Sequence, residues 1–466
     1  MKRLFGTDGI RGIVNETLTG DLAYKVGLAT AKLLNTNHFR DVKASPFMDD
    51  KPIVLMGTDT RPSKDLISSG ISCGLTAGGV NVITVGILPT PAVAYLTKEY
   101  PFVSAGIMIT ASHNPKEYNG IKIIGPDGYK LHDTLEEQIE NLISSITDET
   151  ISSFFTEAPG RISYEFVGPA KTRYMNFLKS LFDFDGGYQI NIAVDCSNGA
   201  SSTCQDIFDD LGLEADTYNV DESGEKINDG CGSMHLEFIQ EKVKKGFYDC
   251  GIAFDGDADR CLLVDENGDV VDGDYILAII GNYLKENGKL TNNTIVGTVM
   301  SNLGLVKFCE AKGIKFLATK VGDKYVLEEM ITNRSSLGGE QSGHIILKDY
   351  ATTGDGLLTA LMVLYIMSKT DTPLHILKGE MCKYPQVSTQ IEAGPKEKNA
   401  FVANIPLKQQ IQDWVYETLG SDGRAVVRPS GTENYIRIMV EGKDEQVISN
   451  LCDDIAILID KRIREL

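Results

Sequence analysis

Hydrophobic and polar positions repeat one grammar three times along the chain. An apolar run of strand type leads into a short polar or glycine-containing turn, then an amphipathic stretch of helical period, a glycine and a second apolar run. The three segments are PIVLMGTDTRPSKDLISSGISCGLTAGGVNVITVG from Pro52, INIAVDCSNGASSTCQDIFDDLGLEADTYN from Ile190, and TIVGTVMSNLGLVKFCEAKGIKFLATKVGD from Thr294. Strand, helix and strand within about 30 residues is the βαβ unit, whose parallel strands require a right-handed crossover. Polar, helix-poor stretches near 148–163 and 263–275 separate the three, which predicts three related α/β domains with mixed sheets. Beyond Asp371 the pattern changes. QVSTQIEA, a helical stretch around Lys408 to Thr418 with the only tryptophan, the strands of RAVVRPSGTENYIRIMVEG and a final helix DEQVISNLCDDIAILIDKRIREL predict a smaller C-terminal α+β domain. The expected limits are 1–160, 161–263, 264–376 and 377–466.

Composition agrees with this organisation. The 466 residues are 42% hydrophobic and 24% charged, which suits three or four globular domains of about 100–200 residues each. With 65 acidic against 45 basic residues the net charge is −20. That balance argues against nucleic acid or an anionic membrane as partner, because both attract basic patches; an anionic small ligand would need its positive charges gathered locally. No window approaches about 18 apolar residues, and MKRLFGTDGIRG lacks the apolar run of a signal peptide, so a cytoplasmic location is expected. The nine cysteines include no CxxC pair and read as reduced, mostly buried residues.

Four stretches carry candidate chemistry. In TASHNPKEYNG, Ser112 stands beside His113, but neighbours on an extended backbone face opposite ways, so the pair alone is no nucleophile and base. Strand-like AGIMIT precedes and NGIKIIGPDGYKL follows, placing Ser112 on a strand-end loop, where open α/β sheets keep reactive groups. A Ser/Asn-rich turn that caps its own backbone would look similar. In CGIAFDGDADRCLLVDENGDVV, Asp255, Asp257 and Asp259 alternate; three carboxylates this close need a cation, and hard oxygen ligands suit Mg²⁺ or Ca²⁺. A calcium EF-hand loop fits the spacing as far as Glu266. It fails at Arg260, where glycine is required, and at the strand-like flanks GIAF and CLLV, which favours a magnesium loop; a solvated acidic turn is the other reading.

In SLGGEQSGHIILKDYATTGDG, Glu340, Ser342 and His344 alternate among glycines, a row of acceptors and donors suited to a polyol, although a strand edge with one outward face alternates likewise. In VVRPSGTENYIR, Arg428, Ser430, Gly431 and Thr432 combine a planar cation, hydroxyls and a flexible backbone, as a phosphate cradle requires. The absent Gly-Lys-Ser/Thr ending excludes a P-loop, and a plain turn between strands is the alternative.

Taken together, these stretches make the chain resemble the α-D-phosphohexomutase superfamily over essentially its whole length. FGTDGIRG, TASHNP, DGDADR, GEQSGH and RPSGTEN stand in the family's order. FGTDGIRG, INDGCGS, GGEQSGH and TTGDGLL look most like the phosphoglucosamine mutase branch, with phosphomannomutase/phosphoglucomutase as the alternative; relatives of that second kind more often carry another residue at Gln341. Departures are GTDTRPSKD, which lacks a basic residue after Gly57 and a glycine after Ser63, an apparent insertion NHFRDVKASPFMDDK, and Asn434 where proline is common.

The resemblance implies an isomerase-class intramolecular phosphotransferase that interconverts glucosamine 6-phosphate and glucosamine 1-phosphate through a phosphoserine and a hexose 1,6-bisphosphate, which also primes it. Ser112 would carry the phosphoryl group and, with Asp255, Asp257 and Asp259, hold one Mg²⁺. His113 and Arg260 would add donors, Lys122 would serve as acid/base and Arg11 as a phosphate contact. Gly322, Glu340, Ser342 and His344 would meet the sugar, while Arg428, Ser430, Gly431 and Thr432 would anchor the other phosphate. The expected partner is a phosphosugar bound to a monomer or homodimer.

Overall fold

The computed structural model describes residues 4–6, 8–36, 49–184, 189–430 and 434–464. Four sheets, of seven, five, four and three strands, follow one another along the chain. The first runs in the spatial order Phe5–Gly6, Gly9–Ile13, Tyr118–Ile124, Ala105–Ile109, Ile53–Thr58, Asn81–Ile87, Ile162–Ser163, with parallel pairing in its second half and antiparallel pairing in its first. Asn191–Asp195, Cys250–Phe254 and Cys261–Asp265 head the second sheet, and Thr294–Thr298, Leu337–Gly339 and Ile345–Leu347 the third; both are mixed. The fourth is antiparallel throughout, in the order Gln386–Glu392, Tyr435–Glu441, Arg424–Pro429, and carries the helices Ile405–Leu419 and Glu445–Arg464.

The repeated grammar appears as parallel pairs: Ile53–Thr58 with Asn81–Ile87, Asn191–Asp195 with Glu214–Tyr218, and Thr294–Thr298 with Lys315–Thr319. Full helices cross over in the first and third, Lys64–Ala77 and Leu303–Lys312. The second crossover differs from the expectation. It keeps only a 3₁₀ turn, Ala200–Cys204, and one short helix, Ile207–Asp210. Ser197 and Asn198 take positive φ (52° and 51°), and Ser201, Ser202 and Thr203 turn their hydroxyls onto nearby carbonyls, a local alternative to the helical ladder. The helix Pro395–Ala403 escapes pattern reading because it buries only Phe401.

One apolar cluster runs from Ile53 to Met381 through the first three sheets, whereas the fourth has its own, around Ile436, Ile438, Ile455 and Ile459. Three units therefore share a core and the fourth is attached by polar contacts. Glu441, fully buried, accepts from Asn302 Nδ2 (3.1 Å), from the Leu303 amide at a helix N-terminus (3.2 Å) and from Arg424 Nε (2.6 Å). Asn302 N in turn donates to Asp274 Oδ2 (2.8 Å). Among the described residues no helix is long and apolar enough to cross a membrane.

Asp274 gives this joint a pH dependence. Burial first, then Asp272, push its carboxyl up to about 7. A folded pKa above the unfolded value means that its contribution to stability is present below about pH 4 and is lost as pH rises through about 7. Asp274→Asn is expected to flatten the pH profile of thermal stability between about pH 4 and 7 and to stabilise the protein at pH 8, by at most about 4 kcal/mol at 1.36 kcal/mol per unit. Melting curves at pH 5 and pH 8 check it; equal pH slopes in the two proteins would contradict it.

Candidate active site

The reactive groups collect at the carboxyl ends of strands, as open α/β sheets dispose them. Ala105–Ile109 is buried throughout, and three residues beyond it the chain turns at Ser112 with φ +52° before returning as Tyr118–Ile124. A left-handed serine is disfavoured by about 1–2 kcal/mol and persists only where its surroundings hold it. Ser112 Oγ donates to Asp255 Oδ2 at 2.6 Å and lies 3.3 Å from His113 Nδ1. The extended-backbone expectation for this pair is thus corrected: positive φ swings the two side chains together. Burial, then Arg260 and Arg11, lower His113 to about 4, so the imidazole beside Ser112 is neutral near pH 7.

Strands Cys250–Phe254 and Cys261–Asp265 pair antiparallel over five residues, and the loop between them holds the three aspartates. Strand flanks exclude the EF-hand. All three carboxylates are buried, each with an oxygen within 4.8 Å of the others. Burial, then Asp259 and Asp257, raise the pKa of Asp255 well above the usual carboxylate range. Asp257 Oδ1 and Asp259 Oδ1 have no hydrogen-bond partner. Repelling, desolvated oxygens with unmet acceptor capacity fit a divalent cation of hard character, and the hydroxyl of Ser112 lies beside them to add an oxygen.

Cations gather here despite the net charge. Lys122 Nζ lies 2.8 Å from Asp257, 3.1 Å from Asp259 and 3.1 Å from Asp8. Burial disfavours its charge, but Asp257, Asp259 and Asp8 outweigh that and hold the pKa well above normal, so Lys122 is an ammonium in this arrangement. Arg11 bonds Asp8 and Asn114 Oδ1, each at 2.9 Å. Arg260 approaches Asp259 at 3.9 Å, and its buried Nε lacks a hydrogen-bond partner. Lys130 bridges Asp8 to Asp323 of the third unit.

The loop of Glu340, Ser342 and His344 joins strand Leu337–Gly339 to strand Ile345–Leu347. Glu340 Oε1 accepts from Gly322 N at 2.9 Å, and Ser342 is half-buried beside it. His344 is buried with both ring nitrogens unpartnered, its Nε2 3.8 Å from Asp323. Arg428 belongs to a separate cavity of about 520 Å³, lined also by Met300, Gln390 and Arg437. Register places Arg437 directly opposite Arg428, and burial, then Arg437, lower the Arg428 pKa. Like charges across strands repel, which an anion would relieve. Ser430 is buried; Gly431 and Thr432 lie outside the described residues.

Sequence reasoning missed Asp8, Thr90, Lys130, Asp323 and Arg437. Asp8 stands inside FGTDGIRG, read only for its arginine, and Arg437 could have been found by aligning the two strands around RPSGTEN. Thr90, which donates to Asp257 at 2.6 Å, and Lys130 carry no local signal.

Mg²⁺ is expected to stabilise the protein by about 2.7 kcal/mol at a hundredfold excess over Kd and so to raise its thermal midpoint. Asp257→Asn is expected to abolish most of that gain, and scanning fluorimetry across an Mg²⁺ series reads both; equal gains in the two proteins would contradict the assignment.

Four family signatures match in chain order: phosphoglucomutase/phosphomannomutase alpha/beta/alpha domain I over residues 2–150, domain II over 172–268, domain III over 272–384 and the C-terminal domain over 391–458. A phosphoglucosamine mutase of Thermoanaerobacter pseudethanolicus is 46% identical over 464 residues, 99% of this chain and 100% of its own. Among solved structures, a phosphoglucomutase/phosphomannomutase family protein from Burkholderia thailandensis shares the fold with a TM-score of 0.81 at 23% identity, over 100% of this chain and 98% of that one. Aspergillus fumigatus N-acetylphosphoglucosamine mutase, in complex with GlcNAc-6P and magnesium, has a TM-score of 0.67 at 18% identity, over 98% of this chain and 95% of that one. With four signatures in order and a relative matched from end to end, the chain belongs to the phosphoglucomutase/phosphomannomutase family and is a mutase, an isomerase-type phosphotransferase.

Proposed function

We propose that this protein interconverts glucosamine 6-phosphate and glucosamine 1-phosphate, with Ser112 as the phosphoryl carrier and the 1,6-bisphosphate as intermediate. The observation that carries the reading is the placement of the Ser112 hydroxyl 2.6 Å from Asp255, beside carboxylate oxygens that lack partners. The end-to-end likeness to a phosphoglucosamine mutase supports the amino sugar as substrate.

The two exchanged oxygens lie at opposite ends of the sugar, so one phosphate cannot pass directly between them. A phosphate held on Ser112 removes the difficulty. The free sugar hydroxyl attacks phosphorus in line, the bond from phosphorus to Ser112 Oγ breaks, and a 1,6-bisphosphate results. The intermediate turns end for end and its other phosphate returns to Ser112. In each transfer a proton passes from the attacking oxygen to the departing one. Lys122, held as an ammonium, gives a proton to the leaving oxygen and recovers one from the attacking hydroxyl.

Phosphoryl transfer depends mainly on positioning and charge neutralisation. Magnesium at Asp255, Asp257 and Asp259 would supply Lewis-acid stabilisation of the phosphoryl oxygens. Arg11 and Arg260 add fixed positive charge, and neutral His113 offers one ring N–H. Glu340, Ser342 and His344 supply polar groups for sugar hydroxyls that look alike from either end. Arg428, with Ser430, Gly431 and Thr432, would anchor the phosphate that is not reacting. Its lodging in a separately cored unit supports a ligand that must be released and regripped as it turns.

Comparison of kcat/KM for glucosamine 6-phosphate, mannose 6-phosphate and glucose 6-phosphate, with Mg²⁺ and a trace of hexose 1,6-bisphosphate, tests the substrate. A preference of about tenfold or more for the amino sugar, about 1.4 kcal/mol, is expected; preference for a neutral sugar would overturn the assignment. Ser112→Ala is expected to lower kcat by about 10⁴-fold or more while substrate still binds. Arg428→Ala is expected to weaken binding of both monophosphates by about 10- to 100-fold, from the loss of charged hydrogen bonds of about 1.5–3 kcal/mol. Substantial turnover by Ser112→Ala would sink the phosphoserine.

A further inference from the structure

Two motifs, GTDTR at Gly57 and INDG at Ile227, have no part in the reaction just described, yet both end on the backbone of the serine loop. Arg61 is fully buried, and all five of its guanidinium N–H groups are engaged. Nε donates to Asp59 Oδ2 (2.9 Å), Nη1 to the carbonyls of Pro115 (2.5 Å) and Tyr118 (2.9 Å), and Nη2 to those of Ser112 (2.8 Å) and Asn114 (2.7 Å). Asp59 also accepts from Thr110 Oγ1 (2.7 Å), which accepts in turn from the Ser112 amide (2.8 Å). Both flanking peptide groups of Ser112 are thereby fixed, which accounts for a serine kept at positive φ.

The second hand comes from another unit. Asn228, itself at φ +58°, donates through Nδ2 to Ser112 O (2.9 Å) and Asn114 O (3.1 Å). Its own amide is tied to Ser197 O (2.9 Å). Gly256, inside the metal loop, packs so closely that a Cβ there would stand 2.6 Å from Ser112 O and 2.9 Å from Asn228 Nδ2. The Ser112 carbonyl is thus the point where serine loop, metal loop and the INDG loop touch.

We infer that Arg61 and Asn228 are positioning residues, Arg61 holding Ser112 in its left-handed turn and Asn228 setting the register of the serine loop of the first unit against the metal loop of the second. Neither touches the reacting oxygen. The inference rests on Ser112 as the phosphoryl carrier. The carrier and the carboxylates belong to different sheets, and within the shared core the contact of Asn228 with the Ser112 carbonyl ties the serine loop itself to the second unit. Lysine, with three donors, cannot replace Arg61 without leaving buried carbonyls unpaired. Asn228→Gly is the cleaner probe, since glycine takes the same φ freely and only the amide is removed.

Wild type and Asn228→Gly would be mixed with Mg²⁺ and glucose 1,6-bisphosphate, and phosphate on Ser112 followed by intact mass and peptide mapping in quenched samples. Steady-state kinetics with glucosamine 6-phosphate and melting curves would accompany them. The expected result is loading and kcat slowed by about 10- to 100-fold, KM within about twofold, and an unchanged melting curve, because a misplacement near 1 Å costs about 10²-fold in rate. Loading and kcat within about twofold of wild type would overturn the inference. So would a loss accounted for by the fraction of chains that fail to fold, with the folded fraction loading at the wild-type rate. A wild-type protein that never acquires phosphate on Ser112 would overturn the phosphoserine reading, whereas normal wild-type loading matched by the variant overturns only the positioning roles.

Discussion

Three carboxylates buried with oxygens within 4.8 Å of one another repel strongly, and the surrounding structure is organised around that repulsion. The hairpin of Cys250–Phe254 and Cys261–Asp265 forces the aspartates together, with Ala258 at φ +53° making the turn between them. Lys122 answers two of the three directly, Thr90 gives a hydroxyl to Asp257, and Ser112 gives one to Asp255. Asp8 then gathers Lys122, Arg11 and Lys130, so that positive and negative groups alternate outwards from the carboxylates. A protein of net charge −20 thus sets four cations, Lys122, Arg11, Lys130 and Arg260, among the carboxylates of one site without becoming basic overall.

The same constraint explains why three units share one apolar core and the fourth does not. Ser112, the aspartates and the loop of Glu340 to His344 come from three different sheets, and in the proposed reaction the distances among them would matter to a fraction of an ångström. A continuous core between Ile53 and Met381 fixes those sheets relative to one another. In the proposed reaction Arg428 would have the opposite need, because it would meet either end of the ligand. Its unit sits on its own small core and joins the rest through Glu441, Arg424 and Asn302, polar contacts that can re-form after moving.

The charges within the site also divide its labour. His113 and Lys122 both stand beside Ser112 or the carboxylates, yet one is held neutral, by burial first and then by Arg260 and Arg11, while the other stays charged because Asp257, Asp259 and Asp8 outweigh its burial. Burial works against the charged form of both, and only at Lys122 do the neighbouring charges overcome it.

By itself the sequence determined the class of the fold and most of the chemistry, because both are written in short contiguous patterns. The apolar period of Ile53–Thr58 and Asn81–Ile87, the alternation of Asp255, Asp257 and Asp259, and the strand context of TASHNP are local and survive without a partner. The second crossover was misread where serine and asparagine side chains bond their own backbone, a competition that hydrophobic periodicity does not register. Only the tertiary structure decided that Ser112 is left-handed, that its side chain approaches His113, that Lys122 is held as an ammonium before any transfer, and that Lys130, Thr90, Arg61 and Asn228 lie at the site at all. Each of these rests on groups between 51 and 193 positions apart or on backbone torsions set by such groups, and desolvation and Coulomb energy depend on distance in space, which no reading of neighbours along a chain supplies.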